Sequence, residues 1–162
     1  MFGCPGWLEG LIHANAFIKS GIAKTCLVIG AETLSRVIGV HDRASMIYYD
    51  GAGAVIIQTS TNKTGIKSHL SASHTLTEKD YLNFGKSYNL DNLSGIRDIK
   101  MGGRKIYEFA LSHVPAAMKK CFDESGYQIN KLNKIIIHQA NEKMDDESLT
   151  MHHRMEKLFY FL

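Results

Sequence analysis

At 162 residues, with 44% apolar and 22% charged side chains, the chain has the make-up of one ordinary globular domain or slightly more, and this excludes wholesale disorder. Nineteen Lys and Arg against 16 Asp and Glu leave a formal charge of +3, too slight for a dedicated nucleic-acid binder. Three cysteines, Cys4, Cys26 and Cys121, show no metal-ligand spacing and leave an odd thiol, which points to reduced thiols in a reducing compartment. No apolar run reaches the roughly 18 residues of a membrane span. The first stretch lacks a basic segment and contains Glu9, so it does not read as a signal peptide. The expectation is a cytoplasmic, soluble chain that engages neither membrane nor nucleic acid.

From Trp7 onward, Leu8, Leu11, Ile12, Ala16 and Phe17 fall at helical spacing, and the helix is expected to end near Gly21. Cys26, Leu27, Val28 and Ile29 form a short buried-strand run stopped by Gly30. Two more strands are expected at 45–49 and 54–59, with Asp50-Gly51-Ala52-Gly53 as the turn between them. Residues 65–71 read as a further strand inside a polar, turn-rich stretch from 61 to 102. Residues 103 to about 124 read as a helix with Ile106, Phe109, Ala110 and Val114 on one face. Pro115 either kinks that helix or starts a second one, and Gly126 ends it. Residues 134–137 make a β-branched strand ending in His138, with a helix from Glu142. This alternation predicts an α/β sheet with mostly parallel strands.

Three segments bear chemistry. In Gly3-Cys4-Pro5-Gly6-Trp7 a thiol stands at a helix N-terminus, where unpaired amides and the positive dipole end favour a thiolate and glycines admit a substrate. The plain alternative is a small apolar cysteine in a turn. In Ile137-His138-Gln139-Ala140-Asn141 a histidine stands at the carboxyl end of a strand, where α/β sheets place their ligand crevice. The alternative there is a histidine hydrogen-bonded at a strand terminus, with Gln139 and Asn141 as caps. Asp50-Gly51-Ala52-Gly53 lacks both the dinucleotide spacing and the lysine of a phosphate loop, so close backbone packing is the favoured reading. The lysines and arginines between 100 and 143 read as a solvated face, and His152-His153-Arg154 as surface without a metal partner.

Taken in order, Gly3-Cys4-Pro5-Gly6, Leu27-Val28-Ile29-Gly30-Ala31-Glu32, Asp50-Gly51-Ala52-Gly53-Ala54-Val55, Met101-Gly102-Gly103 and Ile137-His138-Gln139-Ala140-Asn141 resemble β-ketoacyl-acyl-carrier-protein synthase III. The resemblance runs over residues 2 to 145. It implies the thiolase-like fold, two α/β halves stacked as five alternating αβαβα layers, of which this chain holds the end of the first half and the start of the second. The implied organisation is 1–62 for the first half, 63–145 for the second, and a divergent tail at 146–162. The implied reaction belongs to fatty acid biosynthesis and needs no cofactor or metal. An acyl group passes from acyl-CoA to Cys4, then condenses with malonyl-acyl-carrier protein, with His138 as a donor to the negative charge of decarboxylation.

By the same resemblance Arg43 contacts the coenzyme A nucleotide, Gly103 and Asn141 shape the pantetheine passage, and Lys143 steers the acidic carrier protein. A homodimer is implied. The family's second donor, an asparagine in a His-Gly-Asn segment, has no counterpart after Asp145. That departure implies an internal piece of a condensing enzyme with impaired catalysis. Two alternatives stay open: a non-catalytic fragment that acts only by association with another chain, and a cysteine hydrolase using Cys4 and His138.

Overall fold

The computed structural model describes residues 3–62, 64–91, 95 and 97–138. The chain divides into two compact units, residues 1–69 and 70–162.

The first unit opens with helix α1, Gly6–Lys19. Glu9 in its first turn and Lys19 in its last oppose the helix dipole. The helix stops where Ser20 and Gly21 donate to the carbonyls of Ala16 and Ile18 at 2.9 and 3.1 Å, and Gly21 takes a left-handed φ of 77°. Strand β1, Thr25–Thr33, then pairs with β2, Asp50–Gln58. The pairing is antiparallel, from Thr25 opposite Gln58 to Thr33 opposite Asp50, and not parallel as expected. The reason lies in the connection: a parallel pair needs a crossover, usually helical, whereas residues 34–49 hold only two short 3-10 helices, Leu34–Arg36 and Arg43–Ile47. The second of these replaces the strand expected at 45–49. The Asp42 carboxylate accepts from the Ala44 amide at 2.9 Å and so favours a turn over a ladder.

Gly30 does not stop β1, nor is Asp50 to Gly53 a turn. Each supplies the other's partner, with Gly30 opposite Gly53 and Glu32 opposite Gly51. Helix α1 lies across one face of this pair. A Cβ at Gly10 would stand 2.8 Å from Val28 Cγ1, and one at Gly30 would stand 3.1 Å from Trp7 Cβ. These two glycines therefore let helix and strand backbones approach closely, with Ala14 and Val28 buried between them. The opposite face is bare: Leu27, Ile29 and Ile56 are 62%, 60% and 70% exposed.

In the second unit β3, Leu82–Lys86, pairs antiparallel with β4, Arg97–Met101. Neither strand is predicted from the sequence, because three of the five β4 residues are charged and mask the short alternation of Leu82 with Phe84 and of Ile99 with Met101. The strand expected at 65–71 is irregular and joins no ladder among the described residues. Helix α2, Gly103–Ser125, runs unbroken through a buried Pro115 and ends on Gly126, left-handed at φ 71°. Pro115 thus starts no second helix; its buried ring exchanges one helical hydrogen bond for packing. His74 sits edge-on to Phe109 and His113, with ring centroids 5.3 and 4.2 Å away, which ties the irregular segment to α2. After a 3-10 helix at Ile129–Lys131, residues 132–138 join no ladder among the described residues, so the strand expected at 134–137 is not formed. Its isoleucines suit a buried strand, but the ladder bonds that define one need a neighbour. The helix expected from Glu142 lies outside the described residues. Among those described, no helix is long and apolar enough to cross a membrane.

Candidate active site

The Gly6 amide donates to the Gly3 carbonyl at 2.8 Å, closing a turn over residues 3 to 6, and the Glu9 amide donates to the Pro5 carbonyl at 3.0 Å as the helix begins. Pro5 is the N-cap and offers no side-chain bond to the first helical amides. Cys4 is held on this turn, exposed, and none of the three cysteines is in a disulfide. It borders a cleft of about 620 Å³, whose walls include Trp7, Gly30, Glu32, Tyr49 and Asp50. Such a position suits a nucleophile, because the thiol is accessible at the start of a helix and on the border of a cleft that a substrate can enter.

Of the two carboxylates on the cleft wall, Glu32 and Asp50, the second is committed elsewhere. Asp50 accepts from the Ser35 amide at 2.8 Å and from the Ser35 hydroxyl at 2.5 Å, and these bonds hold its carboxyl below the usual range. It clamps the loop after β1 and stays ionised, so it makes a poor general base. Two residues earlier, Tyr48 is pushed above the ordinary tyrosine value by burial first, then by the charges of Cys4 and Asp42. Its hydroxyl oxygen is buried without a hydrogen-bond partner.

Tyr48→Phe should therefore leave the protein as stable or up to about 1 kcal/mol more stable in urea unfolding, because an unpaired buried hydroxyl carries a desolvation penalty and no compensating bond. The pH dependence follows from the raised folded value. The unfolded chain loses the Tyr48 proton first, so the native state loses stability as pH climbs from about 10 upward, and the phenylalanine variant escapes that part of the loss. A variant clearly less stable at neutral pH would show that the hydroxyl is bonded.

Arg43 is exposed at the start of the second 3-10 helix and is not among the residues bordering the cleft. In the second unit Gly103 begins α2, where a Cβ would meet only Met101 Cε at 3.9 Å, and His138 is exposed. Asn141 and Lys143, with Gln139, lie outside the described residues. Sequence reasoning missed the cleft's glycines. The Gly-Ala-Gly pattern reads as close packing, yet a Cβ at Gly51 or Gly53 would meet nothing within 4 Å. Their period-two spacing, which bares one face of a strand, was the available signal. No group of three or more His, Cys, Asp or Glu among the described residues could hold a metal.

A cysteine on a glycine-flanked turn, ahead of a helix laid on a strand through further glycines, fits the thiolase-like α/β class, and solved structures bear out that fold. The 3-oxoacyl-[acyl-carrier-protein] synthase III of Aquifex aeolicus VF5 aligns with a TM-score of 0.81 and 30% identity, over 96% of this chain and 48% of its own. The synthase III of Thermus thermophilus aligns with a TM-score of 0.80 and 27% identity, over 93% and 47%. The model of the 3-oxoacyl-[acyl-carrier-protein (ACP)] synthase III family matches residues 1–74. The β-ketoacyl-[acyl-carrier-protein] synthase III of Neisseria gonorrhoeae (strain NCCP11945) is 36% identical over 142 residues, 87% of this chain and 44% of that protein. In sequence and fold the chain is thus a relative of the synthase III condensing enzymes, and it spans about half their length.

Proposed function

We propose that this chain carries the acyl-enzyme chemistry of a β-ketoacyl-acyl-carrier-protein synthase III. The observation that supports it most is the exposed Cys4 at the start of α1, on the wall of a cleft wide enough for a substrate. In the first step the Cys4 thiolate attacks the carbonyl carbon of an acyl-CoA. A new sulfur–carbon bond forms, the bond to the coenzyme A sulfur breaks, and coenzyme A leaves as a thiolate that solvent protonates. In the second, malonyl-acyl-carrier protein loses carbon dioxide, and the bonding pair passes into an enolate whose oxygen accepts from His138. The enolate carbon attacks the acyl group, and the Cys4 thiolate leaves from a β-ketoacyl product.

Arg43 meets the coenzyme A nucleotide in this reading, Gly103 and Asn141 border the pantetheine arm, and Lys143 attracts the acidic carrier protein. Residues 1–62 belong to the first thiolase-like half and 63–145 to the second, acting within a cytoplasmic homodimer without a resident cofactor.

Incubation with acetyl-CoA or hexanoyl-CoA should add one acyl group to the intact mass, mapped to Cys4. His138→Ala should keep that step and slow product formation from malonyl-acyl-carrier protein by about 10²–10³-fold, the usual loss when one oxyanion donor is removed. A folded wild-type chain that gains no acyl mass from either thioester overturns the reading.

A further inference from the structure

The face of the β1–β2 pair that meets α1 ends in a charge. Antiparallel partners point to one side, and so do alternate residues of each strand. Val28 and Val55, Gly30 and Gly53, and Glu32 and Gly51 therefore share this face in that order. Val28 is buried under Gly10 of α1, and Trp7 lies over Gly30. Beyond that contact the strand carries Glu32, and the chain ahead of Trp7 carries Cys4. Both residues border the same cleft of about 620 Å³.

The two carboxylates of this cleft are not equivalent. Asp50 is held by Ser35, and Arg36 stands near enough to act on its charge. Glu32 is exposed and makes no hydrogen bond or ion pair among the described residues. Its cross-strand partner is Gly51, which has no side chain to shield it, and a Cβ there would meet nothing within 4 Å. Among the described residues no Lys, Arg or His borders the cleft. Glu32 therefore sets a negative field over the space in front of Cys4, with no cation on those walls to cancel it.

We infer that Glu32 is a specificity-determining residue at Cys4: its charge holds back electrophiles that are negatively charged at the group to be transferred and admits neutral ones. The inference rests on the acyl-transfer reading for its choice of substrates. That reaction brings two kinds of thioester to one thiol. A neutral acyl group has to load on Cys4, whereas a malonyl group has to stay off it, because malonyl on Cys4 would block the primer. The free carboxylate of the malonyl group distinguishes the two, and Glu32 repels it. At about 7 Å in a water-like dielectric and low salt, one unit charge changes the local concentration of another by about threefold.

The test labels Cys4 in the 162-residue chain with two methanethiosulfonates of opposite charge, the trimethylammonioethyl and the sulfonatoethyl reagent. The thiolate attacks the reagent's sulfenyl sulfur, a disulfide forms and methanesulfinate leaves, so no coenzyme A site is needed. Peptide-resolved mass separates Cys4 from Cys26 and Cys121. The cation-to-anion rate ratio of the folded chain, divided by that of the urea-unfolded chain at the same salt, should be about tenfold at about 10 mM salt. It should approach unity at about 1 M, where the Debye length is about 3 Å. Glu32→Gln should bring the low-salt ratio most of the way to unity, and Glu32→Lys should invert it. Both variants should unfold with wild type in urea, because the side chain is exposed.

Isovaleryl-CoA and malonyl-CoA, whose acyl groups share a shape and differ in charge, are run in parallel. Malonyl on Cys4 and the acetyl group left when it loses carbon dioxide and takes up a solvent proton are counted together. Wild type should favour isovaleryl, and Glu32→Gln should move the ratio about threefold toward malonyl. A normalised reagent ratio near unity in wild type at low salt, or one unchanged in both variants, would overturn the role of Glu32 and leave acylation of Cys4 standing wherever either thioester gives it. A reagent ratio that follows residue 32 while neither thioester acylates wild type would support the charge selection and overturn the acyl-transfer reading alone. If one variant fails to fold, the other variant and the salt series carry the same comparison.

Discussion

Cys4→Ser is expected to form acyl-enzyme at least about a thousandfold more slowly than wild type while unfolding at the same urea concentration. Both halves follow from where the residue sits. Its side chain is exposed on the turn ahead of α1, so exchanging sulfur for oxygen removes no packed contact, and a change of this kind stays within about 0.5 kcal/mol. Reactivity depends on a different quantity. A thiol reaches its anion near neutral pH and leaves again from an acyl intermediate, whereas a serine hydroxyl needs a general base beside it. Asp50 does not supply one, because its carboxylate is engaged by the Ser35 amide and hydroxyl. The other thiols make the experiment decisive. Cys26 is half-buried, with its sulfur 3.9 Å from the Ala14 carbonyl under α1, and Cys121 is half-buried on α2. Acyl mass that persists in Cys4→Ser and maps to either of them would move the site. Early unfolding of the variant would make Cys4 a structural residue.

The elements that were readable in the sequence are those held by local signals. Helix α1 follows from apolar residues at helical spacing and a left-handed Gly21, and α2 from its periodicity and Gly126. The strand centred on Val28 follows from its apolar run, although its extension through Gly30 does not. What failed depends on partners distant in sequence. Asp50 to Gly53 carries turn residues, and only pairing with Gly30 to Thr33, some twenty residues earlier, makes it a strand. The same pairing overturned the parallel sheet, since the direction of a strand is set by its connection and not by its own composition. In β4 the charged residues hid a strand whose Asp98 points into the unit instead of to solvent. The nucleophile was readable because a cysteine between glycines ahead of a helix has a local chemical logic. The cleft was not, because it is made by side chains that two strands both lack.

Asp98 also sets the largest expected change in stability. It is 6% exposed, and its Oδ2 has no hydrogen-bond partner. The Lys100 ammonium stands 3.9 Å from that oxygen, which is near enough for charge attraction and too far for a hydrogen bond. Lys100 is itself nearly buried, its stem lying over Gly85 and its ammonium 3.8 Å from the centre of the Tyr88 ring. Among the described residues it is the cation paired with Asp98. Lys100→Met should fill the same space while stranding the carboxylate, and should destabilise the chain by about 3–5 kcal/mol, the typical result of removing one member of a buried pair. The double replacement Asp98→Leu with Lys100→Met should recover most of that loss, because a pair without a good hydrogen bond gains little over apolar neighbours of similar volume. Urea unfolding of the four members of this cycle measures the coupling directly. A double variant no more stable than Lys100→Met alone would mean that the carboxylate holds β3 and β4 together through something other than its charge on Lys100. A Lys100→Met variant as stable as wild type would mean that solvent already reaches Asp98 in the folded chain.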